Sequence, residues 1–401
     1  MHGYIQRAVE IELRQALSRS PAVAILGPRQ CGKSTTAKML LKDIPSIYLD
    51  LQDRVDRNKL IEPELFFDHY RDKLICLDEI QLMPEFFSML RSEIDKDRRP
   101  GRFLILGSAS RDLIRQSTES LAGRIAYIDL TPFLLEEIAH VSSWSDLWLR
   151  GGFPESLLSE NDSDSFDWRL NFIRTFMERD IPGLGLNIPV PVMERLWLLL
   201  AHYHGQTVNY QKLAAAADLS IPTLKKYLAV LEQTYMVRLL PPLEANLKKR
   251  LIKSPKLYLR DSGILHTFLG IETYAYLLAN PVAGASWESF TLENIIAQHD
   301  RWRPSFLRTS NGAEIDLVLE RAGQRRVFEC KLSKAPKPSR GFHELIDSLK
   351  PESAWVIAPV DESYEIGKGI FVCPPGQLSR KLSTAAILSK TGSLMNDTNA
   401  G

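Results

Sequence analysis

In the first third of the chain the apolar residues gather into short, nearly unbroken runs: Ala22 to Leu26, Ser46 to Leu51, Leu74 to Leu77, Phe103 to Leu106 and Ile125 to Leu130. Such runs, separated by polar helix-prone stretches, predict strands buried on both faces and therefore a parallel sheet covered by helices. Ahead of them, Tyr4 to Ser18 carries Ile5, Val9, Leu13, Ala16 and Leu17 at helical spacing, a stripe for packing. From Thr131 the alternation stops. Phe133 to His140, Trp144 to Leu149, the turn at Gly151 to Pro154 and Trp168 to Arg179 predict a helical lid, broken by a polar loop from Ser159 to Ser165. Arg174, Arg179 and Asp180 are placed there either to brace the lid or to reach nucleotide.

Next come three helical segments, Val192 to His204, Tyr210 to Ala217 and Ile221 to Thr234, with Ser220 as N-cap of the third and Pro222 in its first turn. With apolar Tyr235 to Leu240 as a wing, this is the pattern of a winged helix-turn-helix presenting Thr223, Lys225, Lys226 and Tyr227. The basic residues Lys248, Lys249, Arg250, Lys253 and Lys256 are expected in a solvated loop, with a phosphate-facing patch as the alternative. Further on, Glu288 and Glu293 fall on a helix, and Glu314 to Leu319 and Val327 to Lys331 predict adjacent strands joined by a tight turn at Gly323. The Ser/Thr-rich stretch from Gln377 to Gly401 is expected to be a frayed tail.

Chemistry sits at the ends of these runs. Gly27, Pro28, Arg29, Gln30, Cys31, Gly32, Lys33, Ser34 and Thr35 link the first strand to a helix in a G-x-x-x-x-G-K-[ST] pattern, a phosphate cradle. Backbone N–H groups close on the phosphates, Lys33 reaches the β and γ oxygens, and Ser34 offers its hydroxyl to Mg²⁺. Asp78 and Glu79 end the third run, where open α/β sheets bind ligands, so Asp78 would hold Mg²⁺ through water and Glu79 would polarise the attacking water. Ser108, after the fourth run, is placed to touch the γ-phosphate or that water; capping the next helix is its other use. Arg124 is placed to reach the phosphate of a neighbouring subunit in a homo-oligomer, or to form a structural ion pair. In the C-terminal region, Asp316 with Glu329 and Lys331 forms a D…E-x-K constellation, helped by a helical glutamate. There two carboxylates would bind Mg²⁺ and the lysine would steady the water that attacks a phosphodiester.

Totals narrow this only a little. A length of 401 residues implies two or three domains. A net charge of +1 excludes a surface coated for nucleic acid but allows a local patch such as Lys331, Lys334, Lys337 and Arg340. The four cysteines are scattered without metal-ligand or disulfide spacing, which implies a reducing compartment. With no apolar run near 18 residues and no signal-peptide core at the start, a cytoplasmic protein that does not engage membrane is expected.

The motifs GPRQCGKST, LDEIQLMPE, LILGSAS, ESLAGR, RGGFPE, ERDIPGL, LSIPTLKKYLAVLEQTYMV, KLYLRDSGIL, WESF, GAEIDLVLE and FECKLS, in this order, resemble the bacterial and archaeal AAA-type ATPases that carry a C-terminal DUF4143 domain. The resemblance covers nearly the whole length. It implies an ATP-binding AAA module, a winged-helix segment and a C-terminal domain similar to restriction-endonuclease-like folds of the PD-(D/E)XK type, with Glu288 rather than Glu293 as the helical acid. Cys31 and Cys330 depart from the commoner residues of their motifs, and neither departure removes a catalytic group. The expected division is an α/β P-loop ATPase domain at 1–135, a lid at 136–189, the winged helix at 190–245, the nuclease-like domain at 246–376 and the tail at 377–401. Two readings stay open: an ATPase acting on DNA or RNA, and a nucleotide-switched interaction protein whose nuclease-like fold is inactive.

Overall fold

Each of the five apolar runs becomes a strand: β1 (Ala22–Leu26), β2 (Ser46–Asp50), β3 (Leu74–Asp78), β4 (Phe103–Gly107) and β5 (Ile125–Asp129). The computed structural model describes residues 3–108, 121, 123–183, 188–244, 251–367 and 369–378. Ala109 and Ser110, most of the ESLAGR motif, the basic run Lys248 to Arg250 and the tail from residue 379 lie outside the described residues. All pairings in the sheet are parallel, in the order β2-β3-β4-β1-β5, with Ala22 opposite Phe103 on one side and Ile125 on the other. Alternate side chains serve two apolar layers. Ala22, Ala24 and Leu26 meet Phe67, Phe87 and Leu90, while Val23 and Ile25 meet Leu13, Leu17 and Leu40.

Two boundaries differ from expectation, each for a local reason. The first helix spans Glu10–Leu17 rather than starting near Tyr4, because Glu10 Oε1 accepts both the Tyr4 hydroxyl at 2.7 Å and the Arg7 N–H at 2.8 Å. The polar loop is shorter than expected: a helix runs over Asp162–Thr175, with Asn161 as its N-cap, accepting from the Asp164 N–H at 2.9 Å.

The chain falls into two compact units and passes back and forth between them. The first takes Met1–His140, Gly151–Glu160 and Pro222–Val237; the second takes Val141–Arg150, Asn161–Ile221 and Arg238–Gly401. Within the first, the Tyr235 side chain packs on the sheet core and its hydroxyl donates to Asp129 at 3.1 Å. The GGFP turn belongs there too, since Phe133 N–H donates to Gly152 O at 2.7 Å. A Cβ on Gly152 would sit 2.5 Å from Phe133 O, so no larger residue fits this approach.

Beyond the five-stranded sheet the chain runs helix (Val190–His202), β6 (Gln206–Thr207), helix (Tyr210–Ala217), helix (Ile221–Gln233), β7 (Val237–Leu240) and β8 (Lys256–Leu259), with the strands in the order β6-β8-β7. A helix over Ala283–Ala297 is followed by β9 (Arg303–Arg308), β10 (Glu314–Arg321), β11 (Gln324–Cys330), a helix over Arg340–Leu349, and β12 (Ser353–Ile357). With β13 (Tyr364–Glu365) and β14 (Ile370–Cys373) these form a six-stranded sheet ordered β13-β14-β12-β11-β10-β9. The hairpin turn at Ala322 and Gly323 has φ of 51° and 81°, the left-handed pair that suits a two-residue connection. A β-bulge between Ile315 and Val318 puts both on one apolar layer although they are three apart. Gln377, the expected start of the tail, is instead part of a helical turn over Pro375–Gln377, and Leu378 is buried. Among the described residues no helix is long and apolar enough to cross a membrane.

Candidate nucleotide site and carboxylate cluster

Gly27 follows β1 where the loop presses against Leu130, the residue after β5. A Cβ there would lie 2.0 Å from Leu130 O, so only glycine allows this approach. Gln30 and Gly32 take left-handed φ of 61° and 98°, turning the chain into the helix Lys33–Leu41. Lys33 is buried, and its Nζ donates to Gly27 O at 3.1 Å and Pro28 O at 2.8 Å, lying folded over the loop. Around the N-terminus of that helix gather the groups suited to a hydrated Mg²⁺. Asp78 is buried at the end of β3, accepts the Glu79 N–H at 2.9 Å and accepts the Tyr48 hydroxyl. That hydroxyl also meets Ser34, and burial followed by the Asp78 bond pushes its pKa up. Ser34, Tyr48 and Asp78 thus form an all-oxygen donor set beside the cradle, of the hard kind Mg²⁺ selects. The residues present fit a nucleotide with its metal.

Glu79 sits one residue past the strand with φ 57°, a left-handed conformation uncommon for a residue other than glycine. It is held by Gln81 Nε2, which donates to its carboxylate and, at 3.0 Å, to Ser108 Oγ. The structure therefore joins Glu79 and Ser108 through Gln81, at the ends of adjacent strands. Gln81 was not among the expected site residues; its place in LDEIQ, two positions past Glu79, was the available signal.

Arg7 was also missed. It is buried, its Nε pairs with Glu137 at 3.0 Å, and its Nη1 and Nη2 donate to Cys31 O at 2.9 Å and Thr131 O at 2.6 Å. Arg7 thereby ties the cradle to the first residues after β5, a link between distant positions that no local pattern carries. Arg124 makes a two-pronged pair with Asp95, both contacts at 2.9 Å, and this pair holds the Asp95 carboxyl down at about 2.

In the second unit the expected acids are paired with cations. Glu288 accepts from Lys256 Nζ at 2.8 Å and from the Tyr258 hydroxyl, and Lys256 also meets Glu314 at 2.6 Å. Lys256, expected in solvent, is buried. The reason is its place on β8, which faces these carboxylates. Burial alone would lower its pKa, but Glu288, Asp316 and Glu314 more than offset this and raise it. Asp316 Oδ2 accepts the Cys330 N–H at 2.8 Å; burial first, then Glu288, raises its pKa well above the usual carboxylate range. Glu329, buried, pairs with Lys331 at 2.8 Å and lies near the Ser339 N–H, at 3.3 Å and 3.4 Å from its two oxygens. Glu293 goes elsewhere, to Arg238 and Arg260. Among the described residues no three of His, Cys, Asp and Glu are placed to hold a metal ion. As paired here, this cluster does not fit one.

The parallel sheet, cradle and strand-end acids define a P-loop ATPase of the AAA type, and residues 19–139 match the AAA domain family. Residues 283–378 match the domain of unknown function DUF4143, and 141–275 match the domain of unknown function DUF8612. Uncharacterized proteins of Mycobacterium tuberculosis and Mycobacterium bovis are each 38% identical over 374 residues, 93% of this chain and 84% of theirs. The chain belongs to this family of AAA-type ATPases with a C-terminal DUF4143 domain. Among solved structures it is similar to the Walker-type ATPase of Pyrococcus abyssi, at 14% identity and a TM-score of 0.46, over 66% of this chain and 96% of that one.

Proposed function

We propose that the first unit binds ATP with Mg²⁺ and hydrolyses it, and that the second unit is a restriction-endonuclease-like fold that binds a partner without cutting it. The observation that carries the ATPase reading is the convergence of Lys33, Ser34, Tyr48 and Asp78 at the cradle, with Glu79 held toward Ser108 by Gln81. Lys33 would neutralise phosphate charge, Ser34 and Asp78 would hold the metal, and Glu79 would orient water. Lys33→Ala should lose nucleotide binding, whereas Glu79→Gln should retain ATP and stop turnover. Equal hydrolysis by wild type and Glu79→Gln would overturn the assignment.

For the second unit, the order helix, β9, β10, β11, helix, β12 supports the restriction-endonuclease-like reading, whereas the third helix of the expected winged helix, Ile221–Gln233, counts from Pro222 on with the first unit. The ion pairs of Glu288 and Glu329 favour binding over cutting. Exposed Lys334 and Lys337 make DNA or RNA the favoured partner. Affinity for single-stranded DNA, duplex DNA or RNA should then fall steeply with salt, and a flat salt response would move the partner to protein. A second reading, a metal-dependent nuclease, draws on the placing of Asp316 beside the backbone of Cys330, between Glu329 and Lys331. It requires cleavage with Mg²⁺ or Mn²⁺ that Asp316→Asn abolishes.

A further inference from the structure

Lys256 comes from β8, outside the six-stranded sheet, yet its side chain is only 3% exposed. Its ammonium lies 2.8 Å from Glu288 Oε1 and 2.6 Å from Glu314 Oε1, walled by the rings of Tyr258 and Phe306, each centred 5.8 Å away. The Tyr258 hydroxyl bonds to the same Glu288 oxygen, and Arg308 stands 3.7 Å from the other oxygen of Glu314. Asp316 is electrostatically coupled to this group and hydrogen-bonded to the Cys330 N–H. The bulge between Ile315 and Val318 falls at Asp316, where bulges commonly re-aim a side chain.

Buried carboxylates repel one another unless a cation lies between them. In a metal-dependent nuclease that cation is divalent. Here a lysine already bridges two of the acids, and Lys331 is paired with a third, Glu329. A divalent ion entering between Glu288 and Glu314 would meet an ammonium at contact distance from both, with no room for the two cations together.

We infer that Lys256 is the resident cation of this cluster, holding the place a divalent ion would take, so that the domain keeps its fold without metal and binds none there. The inference rests on the reading of the second unit as a fold that binds without cutting. Lys256 is thereby the residue that decides metal exclusion: with it in place no three acids among the described residues are set to hold an ion, and without it Glu288 and Glu314 lose the cation between them, so that a hard divalent ion can draw them together with Asp316.

The test is Mn²⁺ binding by the full nucleotide-free chain, read by electron paramagnetic resonance of free Mn²⁺. It compares wild type, Asp316→Asn, Lys256→Met and the double variant Lys256→Met with Asp316→Asn. Wild type and Asp316→Asn should bind alike. Lys256→Met should gain one ion with affinity about a hundredfold above any Asp316-dependent binding in wild type, because a positive charge at contact range is gone. The double variant should lose it. Asp316-dependent Mn²⁺ binding by wild type, or no gain in Lys256→Met, would overturn the inference. If Lys256→Met does not fold, amine acetylation of wild type followed by mass spectrometry decides. Lys256 should stay unlabelled with and without millimolar Mn²⁺, and labelling that appears only with Mn²⁺ would show that metal displaces it. Asp316-dependent Mn²⁺ binding by wild type without cleavage of DNA or RNA sinks the inference alone, whereas Asp316-dependent cleavage sinks the binding-fold reading with it.

Discussion

Glu79 can polarise water only if its carboxylate is aimed, and Gln81 is the side chain that aims it, since its amide donates to both Glu79 and Ser108. Gln81→Leu should therefore lower kcat roughly tenfold to a hundredfold, the scale of a small misplacement of a reacting group, with ATP affinity nearly unchanged. Steady-state hydrolysis beside equilibrium nucleotide binding separates the two quantities. Unchanged kcat would leave Gln81 a packing residue. Glu79 was legible from the sequence because two acids after a buried run are a local pattern. Gln81 was not, because its partner Ser108 lies on another strand.

At the scale of elements, Arg7 connects the stretch before the first helix, the cradle and the segment after β5, bonding to Glu137, Cys31 O and Thr131 O. Both partners of the Arg7–Glu137 pair are 2% exposed, and breaking such a pair from one side strands a buried charge at a cost of about 3–5 kcal/mol. Arg7→Met should lower the melting temperature and weaken ATP binding together, as the loop loses its tie at Cys31. A variant with wild-type melting and affinity would contradict this. Glu293 plays a comparable part in the second unit. Burial would raise its pKa, but Arg238 and Arg260 depress it to about 2 from 4.5. A depressed carboxyl contributes stability that is full above pH 4.5 and is lost as pH falls toward 2, here on the order of 3 kcal/mol. Glu293→Gln should be less stable than wild type at pH 7, and the gap should close between pH 4.5 and 2, as followed by urea unfolding.

Two behaviours belong to the whole molecule. His266 is fully buried between Leu149 O, 2.9 Å from Nδ1, and Ser286 Oγ, 2.8 Å from Nε2; Ser286 Oγ also accepts from Trp148 Nε1 at 3.0 Å. That arrangement suits a neutral ring donating to the carbonyl and accepting from the hydroxyl, and burial lowers its pKa to about 3. Below pH 6.5 the unfolded chain takes up a proton that the folded one refuses, so stability falls by about 1.4 kcal/mol per pH unit from this group. Asp316 and Glu136, raised mainly by burial, act with the opposite sign, so the comparison must be differential. His266→Gln should be less stable at pH 7.5, and its deficit should shrink by about that amount per unit from 6.5 down. A constant deficit would mean the ring takes up its proton in the fold as readily as in the unfolded chain.

Assembly is the second behaviour. If Arg124 leaves Asp95 to reach a neighbour's phosphate, activity should rise with protein concentration, and mixing Arg124→Ala with Lys33→Ala should restore part of it. Because the pair with Asp95 is exposed, Arg124→Ala should barely change the melting temperature. A concentration-independent rate from a monomer would leave Arg124 a surface ion pair.

The strands β1 to β5, the cradle and the acids after β3 followed from sequence alone, because buried runs, glycine turns and strand-end carboxylates are set by neighbours along the chain. So were the hairpin at Gly323 and the helix carrying Glu288 and Glu293. Which partner each charged side chain takes was decided only in three dimensions. Lys256 and Glu288 are far apart in sequence, and so are Arg7 and Glu137, and Gln81 and Ser108. Such pairs form because a buried charge must find its opposite, and a buried polar group a hydrogen-bond partner, wherever the topology puts it. Hence the acids at Glu288, Asp316 and Glu329, and Lys331 beside the last of them, could be read from the chain, while the part of Lys256 as the cation that meets Glu288 emerged only from the packing of β8 against these acids.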